Sequence, residues 1–439
     1  MTDIGLEPGK AELLVEARLG RRPQDMLEAA VVLEAWAGLP AQAALAAARR
    51  MMPASPEEPE ASVGALPGRT SRQGILLEGA ALVVTVIAIA CWAAPLTARL
   101  GVPVVEHALM LALPLTLALQ WGLRTRYLDR GDGLAQLARR PVRLAIAACL
   151  VVAVPALALG VAGTVAGLLV VIWAGGTILV RRGWPTVYAA QVLLATPPMA
   201  LGVAPLRILG ATTALTFIGV ALALRGGVTP DVDTRGHWRN SAQAALIGTA
   251  LGLMLVLDRT VSWTDGAVPA LALMPSTIAS FWGGYHLRHL DHAIPGALSG
   301  VSAREPARRG LAWLPLRVLL GAVVRLGVLC AALSAGLLAL TPWLGASARG
   351  IGTLAGFALL ALATVLVSLL ASMGRGWWAL VAVACAAATE LAVRLSSADP
   401  FPGTGMVVGG ALAVVLLLPP VIALLSRPAS TLATALWIR

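Results

Sequence analysis

Long apolar runs dominate the chain from residue 75 onward, and short polar gaps separate them. Each run holds roughly 17–25 residues, which suits a helix crossing a hydrocarbon layer about 30 Å thick. The pattern predicts an all-α, polytopic membrane protein with twelve membrane helices. They are placed near residues 76–97, 102–123, 143–158, 161–180, 185–203, 206–224, 242–258, 267–287, 316–341, 348–372, 377–396 and 405–425.

The first 52 residues follow another pattern, in which apolar positions recur at helical spacing among charged ones. Between Met26 and Ala48, one helical face collects Leu27, Val31, Leu33, Trp36, Leu39 and Leu45. Residues 1–52 are predicted to form a small helical module in the cytosol. Residues 53–74, rich in proline, glutamate, alanine and serine, predict a disordered tether to the first membrane helix.

Composition agrees with a membrane protein. Hydrophobic residues make up 58% of the chain and charged residues 13%, with a mean hydropathy of +0.82. Because soluble domains carry about 25% charged residues, this composition excludes a soluble protein. Lys10 is the only lysine, so no Gly-Lys-[Ser/Thr] phosphate loop is present, which argues against ATP hydrolysis within the chain.

The net charge of +11 comes mainly from arginines in the gaps that follow even-numbered helices. These gaps contain Arg124, Arg126, Arg130, Arg139, Arg140, Arg143, Arg181, Arg182, Arg225, Arg235, Arg239, Arg288, Arg304, Arg308, Arg309 and Arg375. Short arginine-rich loops stay in the cytosol, so both termini are predicted to be cytosolic and the location is the cytoplasmic membrane. Residues 225–241 would be a cytosolic connector and residues 428–439 a cytosolic tail. As an orientation signal, this charge implies no nucleic-acid partner.

Two short segments recur six helices apart. Gly122–Asp129 and Gly284–Asp291 share the pattern G-x-x-x-R-[YH]-L-D, and Arg182–Trp184 has the same Arg-Gly-Trp sequence as Arg375–Trp377. A repeat that relates helix n to helix n+6 predicts two parallel lobes of six helices. The lobes would comprise residues 75–224 and 242–427, with a substrate path between them and alternating access by rocking of one lobe against the other.

Three loop segments within this frame carry a family resemblance. Tyr127–Asp132 after the second helix, Leu257–Arg259 ending the seventh and Met373–Arg375 opening the eleventh resemble the multidrug/oligosaccharidyl-lipid/polysaccharide (MOP) flippase superfamily. Among its branches, the exporters of polysaccharides and lipid-linked oligosaccharides are the most similar. The resemblance implies a flippase driven by an ion gradient or the membrane potential, with neither enzymatic activity nor a bound cofactor. The first helix lacks the cavity-facing basic residue of peptidoglycan-precursor flippases, which argues against that substrate.

Arginines near the predicted inner mouth are the first candidate substrate-binding residues. Arg124, Arg126 and Arg288 would attract the phosphates of an anionic lipid-linked saccharide through charge-assisted hydrogen bonds. The alternative is ordinary anchoring at the inner interface, with salt bridges to Asp129 and Asp291.

Two further substrate-binding candidates lie inside predicted helices. Gln120 could hydrogen-bond a sugar or a neighbouring helix. Arg325 could bind phosphate or extend its guanidinium to the inner interface.

Three ionisable residues are candidates for ion coupling, because charges within a bilayer are costly. Glu106 and His107 place a carboxylate beside an imidazole, either as a proton site or as an interfacial pair. Glu390 lies deep in the eleventh run, one turn before Arg394, where it could bind a coupling ion or form a local ion pair.

No catalytic or metal site is predicted. His286, His289 and His292 recur every third residue, a spacing that suggests a metal site. Their position at a helix end, with Arg288 between them, favours an interfacial cluster instead, with a pH sensor as the functional alternative. The four cysteines lie in apolar runs without Cys-x-x-Cys spacing.

A flippase for a lipid-linked oligosaccharide or polysaccharide is therefore the leading hypothesis. The alternatives are a drug/cation antiporter of the same superfamily, a membrane enzyme of envelope polysaccharide synthesis, and a non-transporting scaffold. Expected partners are membrane lipids and the lipid-linked saccharide itself, with a synthase as a further partner of residues 1–52.

Overall fold

A computed structural model describes residues 8–19, 23, 26–51, 72–125, 137, 141–225, 238–257, 274–275, 277, 313–340, 348–396 and 403–426. Regular secondary structure in these residues is helical throughout, with no strand. The predicted all-helical class is confirmed.

The front module consists of three helices, α1 (Pro8–Leu19), α2 (Met26–Ala37) and α3 (Ala41–Met51). The continuous apolar face predicted from residue 26 to residue 48 is wrong, because the chain turns between α2 and α3. Gly38 has a φ of +65°, a left-handed conformation that L residues with a side chain rarely adopt. With Pro40 following it, α2 ends and α3 folds back to pack on it.

The first membrane segment combines α4 (Arg72–Ala90) and α5 (Ala93–Leu100), which are separated by a short turn. The chain then reverses at Gly101, whose φ is +89°, and enters α6 (Val102–Leu123). Since α5 ends where α6 begins, the start of α4 and the end of α6 lie at the same end of the molecule.

The predicted pair of runs that meets at Gly160 forms one element, α7 (Pro141–Arg181), which bends back on itself at that glycine. Gly160 has a φ of +57° and a ψ of −125°, outside the helical region. A Cβ at Gly163 would lie 1.7 Å from the carbonyl oxygen of Pro155, and one at Gly167 would lie 2.7 Å from that of Val151. The two arms therefore pack backbone against backbone as a helical hairpin.

Two shorter helices complete the first half, namely α8 (Pro185–Ala200) and α9 (Pro205–Leu224). The second half contains α10 (Trp238–Val256), α11 (Trp313–Leu340), α12 (Ala348–Ser372), α13 (Gly376–Leu395) and α14 (Thr404–Ser426). The predicted eighth span, 267–287, lies outside the described residues apart from positions 274, 275 and 277.

Within the described part of the chain, eight helical segments are long and apolar enough to cross a membrane. Large apolar side chains also remain exposed along them, for example Leu150, Leu157, Leu194, Val328 and Ile422. Exposed apolar surface of this extent suits contact with lipid. These features support a polytopic membrane protein, whereas the total of twelve spans stays a prediction.

Buried apolar residues form two large clusters that largely follow the two halves of the chain. One cluster lies within α4–α9. The other joins α10 and α12–α14, and it also includes buried residues of α1–α3. Helix α6 contributes to both clusters, with Val105 and Ala108 in the first and Leu113 and Trp121 in the second.

Helices α6 and α10 form the main contact between the halves. Gly248 and Gly252, four residues apart on α10, lie against the backbone of Leu117 and Pro114 on α6. Close approach through small residues is the usual way in which membrane helices associate, since lipid supplies no hydrophobic force between them.

Candidate functional site: a cavity with arginines at one end

A cavity of about 300 Å³ lies at the contact between the two halves. Its wall is formed by α4–α6, the second arm of α7, α8, α10 and α12. Most of the lining is apolar, including Leu82, Leu113, Leu169, Leu251 and Leu360. Mainly apolar walls with a few polar groups are typical of ligand-binding sites.

The cavity extends through most of the depth of the helix bundle. Along α6 its lining runs from Val105 to Arg124, a separation of nineteen residues. At about 1.5 Å per residue, this corresponds to about 28 Å, close to the thickness of the hydrocarbon layer. The cavity is therefore long enough to hold an extended chain.

Two arginines, Arg124 and Arg181, line the cavity at one end, which we call the arginine end. Arg124 directly follows α6, and Arg181 is the last residue of α7. Each guanidinium thus lies at a helix C-terminus, where the helix dipole favours a cation. The Arg124 Cζ also lies 5.7 Å from the ring centroid of Trp121, within the range of a cation–π interaction.

Contacts in the second half show which helix ends meet at the arginine end. The Ser241 hydroxyl, near the start of α10, donates to the carbonyl of Gly122 at 3.0 Å. Gln243 lies against Gly376, so α13 starts and α12 ends at this side. At the far end, the Arg394 Nη1 donates to the carbonyl of Leu257 at 2.8 Å.

Gln120 lines the cavity near the arginine end, as its proposed role in substrate binding requires. Its Nε2 donates to the carbonyl of Trp173 on α7 at 3.4 Å. The amide thus links α6 and α7, which form two walls of the cavity. Of the two interpretations of Gln120, the hydrogen bond to a neighbouring helix is present in the structure.

Of the other predicted substrate-binding arginines, only Arg325 belongs to the described residues, and it does not line this cavity. Arg325 is exposed on α11. Arg126 and Arg288 lie outside the described residues.

Glu106 and His107 lie near the start of α6, away from the arginine end. Glu106 is half-buried and His107 is exposed. The His107 Nδ1 donates to the carbonyl of Pro103 one turn earlier, so the imidazole is held at the surface of its own helix.

Glu390 is 0% exposed, within the second half of the molecule. It lies on α13 beside Gly409 of α14, where a Cβ would approach its Oε2 to 3.3 Å. Arg394, one turn later, binds the end of α10 through the hydrogen bond to Leu257. Glu390 therefore lies apart from the arginine end and does not line the cavity.

The three histidines of the predicted interfacial cluster, His286, His289 and His292, lie outside the described residues. Among the residues that are described, no group of three His, Cys, Asp or Glu side chains is placed to hold a metal. The four cysteines are free, with Cys330 buried and the other three exposed.

The Arg-Gly-Trp repeat has a different register in the structure. Gly183 and Gly374, with φ of +79° and +72°, each end a helix. Each glycine N–H donates to the carbonyl three residues back, at 3.1 and 3.2 Å, and the following N–H donates to the carbonyl five residues back, at 2.9 and 2.8 Å. This is the Schellman pattern. Gly183 therefore matches Gly374, and the pairing of Gly183 with Gly376 expected from sequence is wrong by two residues.

Arg181 was missed as a candidate binding residue, because its position in a predicted cytosolic gap already explained it as an orientation signal. The available clue was its distance from Gly160. Counting helical turns from that break places Arg181 at the end of the α7 arm, level with the end of α6.

Comparison of the chain with protein-family models, with curated proteins and with solved structures finds no match.

Proposed function

We propose that this protein is a membrane transporter, a flippase or exporter that moves an anionic lipid-linked oligosaccharide or polysaccharide across the cytoplasmic membrane. The observation that carries the proposal is the cavity, which combines a long apolar wall with Arg124 and Arg181 at one end. The resemblance to the MOP superfamily belongs to the same proposal, as does the absence of enzymatic activity and of a cofactor.

The shape and polarity of the cavity suit an amphiphile. Its apolar wall would accept a lipid chain, since burial of apolar surface is favourable. The guanidinium groups would bind a phosphate or diphosphate through charge-assisted, bidentate hydrogen bonds. With the arginine end in the cytosol, as the arginine distribution predicts, the headgroup would enter from the side where lipid-linked saccharides are made.

The arrangement of the two halves supports transport by alternating access. Each half has its own apolar cluster, and their main contact is the interface between α6 and α10. Rocking about this interface would open the cavity to one side and then to the other. Glu390, buried in the second half, is the proposed ion-coupling residue, with Glu106 and His107 as further candidates.

The cationic end favours this proposal over the drug/cation antiporter. Arg124 and Arg181 would repel a cationic drug at the point where it enters, whereas they would attract an anionic headgroup.

Transport of a fluorescent polyprenyl diphosphate saccharide in proteoliposomes tests the proposal. The double variant Arg124→Gln/Arg181→Gln should lose at least about tenfold in transport rate, because each lost charge-assisted bond is worth about 1.5–3 kcal/mol. Arg225→Gln, at an exposed arginine that follows α9, is the matched control and should transport normally. Normal transport by the double variant would refute the assignment of the arginine end.

A further inference from the structure

Three buried threonines, from three different helices, line the cavity away from the arginine end. Thr85 on α4, Thr116 on α6 and Thr364 on α12 are 3%, 4% and 5% exposed. We call these three side chains the threonine layer. Hydroxyl groups are costly in an apolar interior unless they form hydrogen bonds, so each of these three hydroxyls needs a hydrogen-bond partner.

The three threonines lie at nearly the same depth. Thr85 is six residues inside the membrane span formed by α4 and α5, Thr116 is seven residues before the end of α6, and Thr364 is eight residues before the end of α12. At about 1.5 Å per residue, these separations are about 9, 10.5 and 12 Å. The start of that span and the ends of α6 and α12 all lie at the arginine end, so the threonine layer is about a third of the way across the bilayer.

The hydroxyls of the layer have different hydrogen-bond partners. The Thr85 Oγ1 donates to the carbonyl of Ala81 at 2.7 Å, and the Thr364 Oγ1 donates to that of Leu360 at 2.8 Å. Both keep lone pairs that can accept a hydrogen bond. The Thr116 Oγ1 is buried and has no hydrogen-bond partner. A buried hydroxyl in this state lowers stability, which indicates a ligand as its partner.

We propose that the threonine layer is a second binding site, which receives the neutral, hydroxyl-bearing part of the headgroup after it leaves the arginine end. This inference rests on the proposed function. Threonine hydroxyls both donate and accept hydrogen bonds, as sugar hydroxyls do. They carry no charge, so they bind such a group without holding the phosphate. The two sites act in succession, with the phosphate bound first at the arginine end and the glycosyl hydroxyls bound later at the threonine layer.

Binding measurements test the site without requiring transport. The purified protein in lipid nanodiscs is titrated with a radiolabelled dodecyl glycoside and, separately, with dodecyl phosphate. Thr116→Val removes the hydroxyl and keeps the shape of the side chain. It should weaken glycoside binding about fivefold, the loss of one hydrogen bond of about 1 kcal/mol, and leave dodecyl phosphate binding unchanged. Thr116→Ser keeps a hydroxyl and should restore glycoside binding.

Thr212→Val is the matched control. Thr212 on α9 is 2% exposed, donates to the carbonyl of Ile208 at 2.8 Å and does not line the cavity. This variant should bind the glycoside normally. Equal weakening of both ligands by Thr116→Val, or no weakening of either, would overturn the threonine layer as a binding site.

Transport assays separate this inference from the proposed function. If the threonine layer acts in transport, Thr116→Val slows a glycosylated polyprenyl phosphate and leaves the unglycosylated lipid unaffected. If the wild-type protein transports neither lipid but Thr116→Val still loses glycoside binding, the proposed function fails and the binding site stands.

Discussion

Gly252 of α10 lies directly against Pro114 of α6, and a Cβ at Gly252 would come within 2.4 Å of the Pro114 Cα. Real side-chain carbons do not approach a backbone atom so closely, so only glycine fits there. The contact joins the two halves of the chain beside the cavity, which residues of both α6 and α10 line.

Replacement of Gly252 should therefore weaken the interface between α6 and α10. Gly252→Leu must push the two backbones apart, which we expect to cost about 1–3 kcal/mol, as overpacking does in other cores. Thermal unfolding of the purified protein, followed by aggregation or by exposure of buried cysteine, measures the loss. Gly210→Leu on α9 is the control, because a Cβ at Gly210 meets nothing within 4 Å. A Gly252→Leu protein as stable as Gly210→Leu would contradict the packing.

The α7 hairpin should depend on the backbone conformation of Gly160. A Cβ at Gly160 meets nothing within 4 Å, so Gly160→Ala tests the positive φ alone, without a clash. We expect a loss of about 1–3 kcal/mol from the strained backbone. Gly321→Ala, at a helical glycine with open space around it, should be neutral or slightly stabilising. Urea or thermal denaturation of the two variants gives the comparison, and equal stability would argue against the bend at Gly160.

The hydrogen bond from Arg394 to Leu257 should stabilise the far end of the molecule. Arg394→Met keeps much of the apolar stem and removes the guanidinium that donates to the Leu257 carbonyl at 2.8 Å. A hydrogen bond of this charged type contributes about 1.5–3 kcal/mol, and we expect a corresponding decrease in melting temperature. Arg207→Met, at an exposed arginine of α9, serves as the control. A larger loss in the control than in Arg394→Met would contradict this assignment.

Membrane orientation can be measured by cysteine labelling in a background without the four natural cysteines. Trp184→Cys places a thiol beside the arginine end, and Val203→Cys places one at the opposite end of α8; both positions are exposed. With the arginine end in the cytosol, an impermeant maleimide should label Val203→Cys in intact cells. Trp184→Cys should react only after the membrane is permeabilised. The reverse result would invert the proposed topology.

Features that depend on neighbouring residues along the chain were predictable. The apolar runs predicted the helices closely, since α6 (Val102–Leu123) has the predicted bounds and α12 (Ala348–Ser372) does as well. The break at Gly160 was also predictable, because two full-length runs with almost no gap require a sharp turn. By contrast, the turn at Gly38 was missed, because the helical spacing of apolar residues continues across it.

Features that depend on which helices meet were not predictable in the same way. The Arg-Gly-Trp repeat suggested the wrong register, because three matching letters do not show which glycine has the positive φ. Arg325 was predicted inside a membrane helix and Arg181 in a gap after one, and neither position showed which arginine faces the cavity. One is exposed on α11, while the other lines the cavity.

The sequence by itself therefore determined the all-helical class and the membrane environment. Both follow from the length and apolarity of segments that each satisfy their own backbone hydrogen bonds, as a helix in lipid must. Only the tertiary structure decided that Arg124, Arg181 and the threonine layer share one cavity. A side chain's distance from residues on other helices depends on how each helix is rotated and packed. That packing depends in turn on residues such as Gly248 and Gly252, which contact a helix more than a hundred residues away in the chain.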